Sequence, residues 1–161
     1  MSAQPSSIQM RVATAADAEN TTQLINDAFR LAESFFIDED RIDQASVQRY
    51  METGEFLLAE SDAQLVGCLF LEPRDEGTYL GLLSVEPNRQ QTGLGSQLMV
   101  YAEERCRKQQ RKFIEIYTVS LRVELREFYK RRGYVETGTL PFPPDISTKI
   151  PCHFVVMRKM L

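Results

Sequence analysis

The order of hydrophobic and polar residues over the first half of the chain predicts a strand, a helix and then three strands in succession. Apolar and polar residues alternate over residues 8–12, and residues 14–17 form a helix start ahead of a helical apolar pattern. Strand-like runs follow at residues 56–60, 65–71 and 78–85, and short polar turns join them. These three runs predict an antiparallel meander.

The hydrophobic period changes beyond residue 85. Apolar positions from Leu94 to Cys106 recur at helical spacing and predict a long amphipathic helix, and residues 121–128 predict a shorter one. Strand-like segments lie between and after these helices, at residues 113–119, 134–137 and 152–157. The proline-rich residues 140–144 between the last two strands cannot pair along a central strand. The whole pattern predicts a mixed α/β arrangement around one sheet, in a single domain over residues 1–161.

Composition and charge narrow the classes of protein that remain. The chain has 161 residues, of which 43% are hydrophobic, enough for one ordinary core. Nineteen basic and 23 acidic residues give a net charge of -4, which argues against general binding to nucleic acid or to an anionic membrane. The longest apolar stretch, residues 65–71, is far shorter than the roughly 20 residues of a membrane-spanning helix. Residues 1–7 lack the features of a secretory signal, so we expect a soluble, cytoplasmic protein.

Cysteine and histidine contribute little candidate chemistry. Cys68, Cys106 and Cys152 are widely spaced and include no CxxC pair, so we expect buried thiols in a reducing cytoplasm. His153 is the one histidine of the sequence, which leaves little from which to build a metal site or a Ser-His-Asp triad. We therefore predict no metal, and we expect His153 to be a half-buried strand residue.

A glycine-containing turn joins the third meander strand to the long helix. Gly93 and Gly95 stand at alternate positions just where the helix begins. Glycine lets backbone N–H groups approach a ligand closely, and the first turn of a helix has unpaired N–H donors that favour phosphate. The same two glycines are explained equally well by a tight turn and close packing. A Walker A loop is excluded because no Gly-Lys-Ser/Thr follows, and a Rossmann fingerprint lacks its third glycine at Leu98.

In this context the chain resembles the GNAT superfamily of acetyltransferases. Residues 90–95, Gln-Gln-Thr-Gly-Leu-Gly, match the family signature Q/R-x-x-G-x-G/A, and residues 83–85 are similar to the strand that precedes it. Residues 128–134 resemble the second landmark, an aromatic pair followed by a spacer and Gly-Phe/Tyr. Two residues depart from the family pattern. Gln91 stands where glycine is frequent, which is tolerated if its backbone angles are ordinary, and Arg122 stands where many members have asparagine.

The resemblance implies a fold, a reaction and a cosubstrate. The fold would be α/β (α+β), with a mixed, mostly antiparallel sheet of six to seven strands and helices on both faces. The reaction would move an acetyl group from acetyl-CoA to a primary amine by direct attack in a ternary complex, without metal. The amine would be a small molecule or a peptide, with no nucleic-acid or membrane partner, and a homodimer is left open. The alternatives are a non-catalytic acyl-CoA sensor of the same fold and an unrelated nucleotide-binding α/β domain.

The resemblance also implies which residues hold the cosubstrate and which act on it. The residues expected to contact acetyl-CoA are Leu83, Ser84, Val85, Gln90, Gln91, Thr92, Gly93, Leu94, Gly95 and Ser96. The Val85 N–H is expected to polarise the acyl carbonyl, and Tyr129 to protonate the leaving sulfur. Tyr129 also lies four residues after Leu125, so a packing role is its alternative.

The sequence does not identify the general base or the amine acceptor. An alkyl amine with a pKa of about 10.4 arrives protonated, so a group must accept its proton. Glu86, Glu76 and Tyr79 are the candidates nearest in sequence. Residues 35–54, which end in a helix-like segment at 44–51, and residues 140–151 are expected to select the acceptor. A basic cluster at residues 105–112 either interacts with a helix end or meets the CoA 3′-phosphate.

Overall fold

The computed structural model describes residues 7–161, and in that range it has one sheet in the order β1-β2-β3-β4-β5-β7-β6. The strands are β1 (Ile8–Val12), β2 (Glu55–Ser61), β3 (Gln64–Arg74), β4 (Gly77–Val85), β5 (Phe113–Val119), β6 (Val135–Pro141) and β7 (His153–Met160). The helices are α1 (Ala18–Glu33), α2 (Gln44–Thr53), α3 (Leu94–Lys108) and α4 (Val123–Lys130). All neighbouring strands are antiparallel except β4 and β5, so the predicted mixed, mostly antiparallel sheet is confirmed. The prediction about a secretory signal falls almost entirely on residues 1–6, which lie outside the described residues.

Alternation along the strands gives the sheet two apolar faces, and helices cover both. On β2, Leu57 and Ala59 belong to the core under α3 and α4, whereas Phe56 and Leu58 belong to the core under α1 and α2. Successive strand residues point to opposite faces, so a strand buried on both sides is apolar throughout. The predicted placement of helices on both faces is confirmed.

An irregularity in β4 shapes the middle of the sheet. The register between β3 and β4 shifts between Cys68 and Phe70, and Leu82 on β4 has a φ of 56°. A left-handed residue within a strand marks a β-bulge, which bends the strand and increases its twist. On its other side, β4 pairs in parallel with β5 over Thr78–Leu80 and Ile114–Ile116, and the two strands separate beyond that point. The sheet is therefore split at its centre.

Several local predictions were wrong in detail. Strand β6 continues through Pro141, because it lies at the edge of the sheet, where a missing N–H removes no inter-strand hydrogen bond. Leu121 lies in a turn before α4 rather than inside the helix. His153, at the first position of β7, is exposed instead of half-buried. Cys68 and Cys106 are buried free thiols as expected, but Cys152 just ahead of β7 is partly exposed.

A helix that spans a bilayer needs roughly 20 mostly apolar residues. Among residues 7–161, none of the helices combines the length and the apolar character required to span a membrane.

Candidate functional site

The split between β4 and β5 leaves backbone groups of β4 facing open space. Glu86 donates its N–H to the carbonyl of Val66 on β3, at 2.8 Å. Successive N–H groups of a strand point to opposite sides, so the N–H of Val85 points away from β3 and toward the split. The Val85 carbonyl accepts a hydrogen bond from the Gln90 side chain at 3.4 Å. Ser84 is buried, and its hydroxyl donates to the Leu82 carbonyl at 2.9 Å.

The glycine turn leads directly from this strand into α3. Gly93 is the N-cap residue of α3 with a φ of 86°, and the first helical hydrogen bond runs from the Gln97 N–H to the Gly93 carbonyl at 3.1 Å. The amides of residues 94–96 therefore precede the first helical bond, where they are available to an anion. Thr92 secures the turn by donating its hydroxyl to the Arg89 carbonyl at 2.5 Å.

Gln91 does not have the ordinary backbone angles under which a residue other than glycine would be tolerated at this position. Gln91 has a φ of 64°, in the left-handed region, so its backbone angles are not ordinary. A residue with a Cβ in this region has a cost of about 1–2 kcal/mol, which glycine avoids. The frequent glycine at this position of the family is explained by the same φ. In this chain a glutamine adopts the conformation at a cost in stability.

The two glycines of the turn are expected to respond in opposite ways to alanine. Gly93→Ala should lower the free energy of unfolding by about 1 kcal/mol or more, because a Cβ at this φ is strained although it meets no atom within 4 Å. Gly95→Ala should leave stability unchanged or raise it by up to about 1 kcal/mol, because alanine favours the helix and its Cβ would lie 3.4 Å from Phe128. Urea denaturation of both variants measures the difference. Equal losses would contradict the assignment of Gly93 to a backbone role.

An open cleft of about 480 Å³, here called the outer cleft, lies beside the turn. Its lining includes Leu83, Val85, Gln90, Gln91, Gly93, Gly95 and Ser96, so most of the predicted cofactor-binding residues meet there. Arginine side chains also line the outer cleft. Arg132 donates to the Ser96 hydroxyl and, at 2.7 Å, to the Phe128 carbonyl, with its guanidinium 3.6 Å from the centre of the Phe128 ring.

The basic cluster at residues 105–112 does not lie at the outer cleft. It sits at the C-terminal end of α3, whereas the glycine turn is at the N-terminal end. Arg105 bonds Glu55, Arg111 donates to the Asp75 carbonyl at 2.7 Å, and Lys112 lies 2.9 Å from Glu76. These residues line neither the outer cleft nor the cavity described next. The cations positioned for a phosphate are Arg89, Arg131 and Arg132, which do line the outer cleft.

A second and smaller space, here called the inner cavity, has a volume of about 140 Å³. It shares the wall residues Phe29, Leu83, Arg122 and Leu125 with the outer cleft. Its other lining residues come from both faces of the sheet. This is possible because β4 and β5 separate there, so the cavity passes between the two strands. Two predicted catalytic residues, Tyr79 and Tyr129, line it.

Tyr129 lies on α4 and is almost wholly buried, with 3% of its surface exposed. Its ring packs edge-on against Phe128 and Tyr134, at centroid distances of 5.2 and 5.7 Å. No hydrogen bond among residues 7–161 uses its hydroxyl, and Tyr129 lines the inner cavity. Desolvation raises the pKa of Tyr129 above its ordinary value, so the phenol keeps its proton.

A buried carboxylate that the sequence reading missed also lines the inner cavity. Glu33, the last residue of α1, is 6% exposed, and its Oε2 lies 3.4 Å from Nη1 of Arg122. Desolvation raises the pKa of Glu33, although the nearby charge of Arg122 acts in the opposite direction. Ile25, Phe29 and Glu33 are spaced four residues apart, so a carboxylate on the apolar stripe of α1 was the available signal.

The other candidate bases occupy different surroundings. Glu86 forms an ion pair with Arg89 at 3.5 Å and lines neither the outer cleft nor the inner cavity. Glu76 lies in an exposed turn and pairs with Lys112. The Tyr79 ring lies across Gly81 and under Arg74, whose guanidinium carbon is 4.2 Å from the ring centre, and desolvation raises the pKa of Tyr79. Within residues 7–161, no cluster of three or more His, Cys, Asp or Glu side chains is arranged to hold a metal ion.

Comparison with known proteins gives a consistent result. Residues 19–145 match the model of the acetyltransferase (GNAT) domain family. A search of curated protein sequences found no significant match. Among solved structures, a ribosomal-protein-alanine N-acetyltransferase from Brucella melitensis superimposes with a TM-score of 0.77 at 21% identity, covering 95% of this chain and 99% of that one.

Two further solved structures contain acetyl-CoA or coenzyme A. A GNAT family acetyltransferase from Elizabethkingia anophelis with acetyl-CoA bound has a TM-score of 0.72 at 19% identity, with coverage of 96% of this chain and 98% of that one. The PaiA N-acetyltransferase from Thermoplasma acidophilum, in complex with coenzyme A, has a TM-score of 0.73 at 17% identity, with coverage of 96% and 99%. At these identities the structures show a shared fold.

Proposed function

Because the chain belongs to the GNAT acetyltransferase family, we propose that it transfers an acetyl group from acetyl-CoA to a primary amine within a ternary complex. One observation carries the proposal. The split between β4 and β5 joins a phosphate-compatible outer cleft to an inner cavity that contains a protonated phenol and a buried carboxylate. Donor and acceptor can therefore meet across the sheet, each from its own side.

The residues of the outer cleft suit the diphosphate and the arm of coenzyme A. The amides of residues 94–96 offer neutral donors to the diphosphate, and Arg132, fixed by Ser96 and Phe128, adds positive charge. Acetyl-CoA supplies a thioester, whose carbonyl carbon accepts an amine nitrogen. The Val85 N–H, which points into the split, donates to the thioester oxygen and stabilises the negative charge that develops there.

Tyr129 provides the proton for the departing sulfur. Its phenol stays protonated because its pKa is raised by burial, and Tyr129 lines the inner cavity. As the carbon–sulfur bond breaks, the phenol proton passes to the sulfur, so coenzyme A leaves as a thiol. The phenolate then takes the second proton, which the nitrogen loses as the amide forms, and Tyr129 is restored.

Glu33 accepts the proton that the amine must lose. A carboxylate whose pKa is raised is a stronger base than an ordinary glutamate, and Glu33 lines the inner cavity beside Arg122, which lines both spaces. Glu33 therefore takes the role for which the sequence offered Glu86, Glu76 and Tyr79. Tyr79 lines the same cavity and contributes to the binding of the acceptor.

The proposed reaction needs no acyl-enzyme. Cys68 and Cys106 are buried, and desolvation raises the pKa of the Cys68 thiol to about 12, so it is a poor nucleophile. None of the three cysteines lines the outer cleft or the inner cavity. Direct attack by the amine is the route that the remaining residues support.

The test measures thiol release and acetyl labelling together. Purified protein with radiolabelled acetyl-CoA should stay unlabelled when no amine is present, and should release thiol when a suitable primary amine is added. Stable labelling of the protein alone would establish an acyl-enzyme and contradict direct attack. Absence of coenzyme A binding at millimolar concentration, measured by calorimetry, would overturn the proposed function.

A further inference from the structure

Four aromatic rings form a continuous row along one side of the inner cavity. Tyr79 on β4 lies 5.0 Å from Tyr117 on β5, Tyr117 lies 6.1 Å from Phe154 on β7, and Phe154 lies 5.0 Å from Phe142 in the loop after β6, measured between ring centroids. All four residues line the inner cavity. We call this row the aromatic wall.

The aromatic wall differs from the aromatic residues that build the core. Phe56 and Phe70, on the α1 side of the same sheet, are buried and contact each other with their centroids 5.0 Å apart. The rings of the wall are only partly buried, and each presents surface to the cavity. Apolar surface left in contact with water inside a concave site favours an apolar ligand.

The charged groups around the inner cavity indicate how such a ligand would be oriented. Asp40 is paired with Arg30 at 2.7 Å, so its charge is already compensated. Glu33 is buried and bonds Arg122 through Oε2, which leaves Oε1 without a bond among the described residues. Arg41 and Glu39 also line the cavity, and the charge of Arg41 acts on Glu33 in the same direction as that of Arg122. The unbonded Oε1 therefore offers an acceptor for an amine nitrogen at Glu33, on the inner cavity.

We propose that the acceptor is a small primary amine joined by a short chain to an aromatic ring, with the ring on the aromatic wall and the nitrogen at Glu33. This inference rests on the proposed function and specifies its substrate class. A cavity of about 140 Å³ is smaller than the roughly 300–1,000 Å³ of sites for drug-sized ligands, which favours a compact acceptor. A linear polyamine would need a second buried carboxylate and would leave the aromatic wall uncovered.

The first experiment compares acceptors. The value of kcat/KM, measured by thiol release from acetyl-CoA, should be about 10- to 100-fold higher for 2-phenylethylamine than for n-propylamine, because burial of a phenyl group contributes binding of that size. Spermidine and a peptide with a free N-terminal alanine should both be poorer than 2-phenylethylamine. A preference for either of them would overturn the inference.

The second experiment changes the wall. Phe142→Ala should lower the ratio of kcat/KM for 2-phenylethylamine to kcat/KM for n-propylamine about 10-fold, because the proposed pose places the ring of the larger acceptor against Phe142. The matched control is Val100→Ala on α3, since Val100 is 55% exposed, lies outside residues 35–54 and 140–151 and lines neither space. Equal losses for both amines in Phe142→Ala would contradict a role in binding the ring.

A direct binding measurement separates this inference from the proposed function. Saturation-transfer NMR in the presence of coenzyme A should show transfer to the ring protons of 2-phenylethylamine, and Phe142→Ala should weaken it. Coenzyme A binding together with thiol release for other amines, but without transfer to the ring, would overturn the acceptor class and leave the acetyltransferase intact. Loss of coenzyme A binding itself would remove the proposed function.

Discussion

Replacing Tyr129 with phenylalanine is expected to lower kcat by at least about 100-fold while the Kd for coenzyme A stays within about two-fold. The ring of Tyr129 packs against Phe128 and Tyr134, and the phenylalanine ring keeps those contacts. The hydroxyl has no hydrogen-bond partner among residues 7–161, so its removal leaves no buried group unpaired there. The change therefore removes the proton donor and little else. Steady-state kinetics and calorimetry with coenzyme A measure the two quantities separately.

Tyr134→Phe is the matched control for this prediction. Tyr134 is also buried, but its hydroxyl bonds Glu103 at 3.1 Å and does not line the inner cavity. This variant should keep kcat within about three-fold and lose about 1–2 kcal/mol of stability, because a buried hydrogen bond is removed. Similar turnover in wild type and Tyr129→Phe would contradict the role of the phenol. A wild-type protein that binds coenzyme A without turning over any amine would support the sensor alternative.

Replacing Glu33 with glutamine is expected to lower kcat/KM by about 100-fold and to flatten the acidic limb of its pH profile. The ionised form of Glu33 is the one that accepts the proton. Because burial raises its pKa, wild-type kcat/KM should increase with pH through a value above the ordinary glutamate range of about 4.3. Glutamine cannot titrate, so the variant should show no such increase. Initial rates over a pH series in constant ionic strength provide the measurement.

Two further carboxylates make this test specific. Glu127 on α4 is 53% exposed, lies 3.7 Å from Lys130 and lines neither space, so Glu127→Gln should change kcat/KM by no more than about three-fold. Glu86 lies outside both spaces and pairs with Arg89. A larger loss in Glu86→Gln than in Glu33→Gln would restore the candidate that the sequence offered and reject Glu33.

The parts of the site that are formed by residues close together in the sequence could be predicted from the sequence. Hydrophobic periods located the strands and the long helix, because side-chain direction repeats every two residues in a strand and every 3.6 in a helix. The glycine turn could be recognised because helix N-terminal amides and glycine backbones have local properties. Gly93 has a left-handed φ, which a glycine in a tight turn adopts readily, whereas Gln91 has a left-handed φ that its own residue type disfavours.

The remaining parts of the site are made by residues distant in sequence. Glu33 and Arg122 are 89 positions apart, and the aromatic wall brings together three strands and a loop. The apolar stripe of α1 indicates which face of the helix carries Glu33, but the packing of α1 against the sheet decides how deeply that carboxylate is buried.

The sequence by itself determined the kinds of elements, their order and the anion-compatible turn, because these follow from local side-chain pattern and backbone preference. Tertiary structure alone decided where β4 leaves β5, which joins the outer cleft to the inner cavity. It also decided which carboxylate lies buried on the cavity that Tyr129 lines. Burial and long-range contact shift a pKa and shape a cavity, and neither quantity is a property of a segment read on its own.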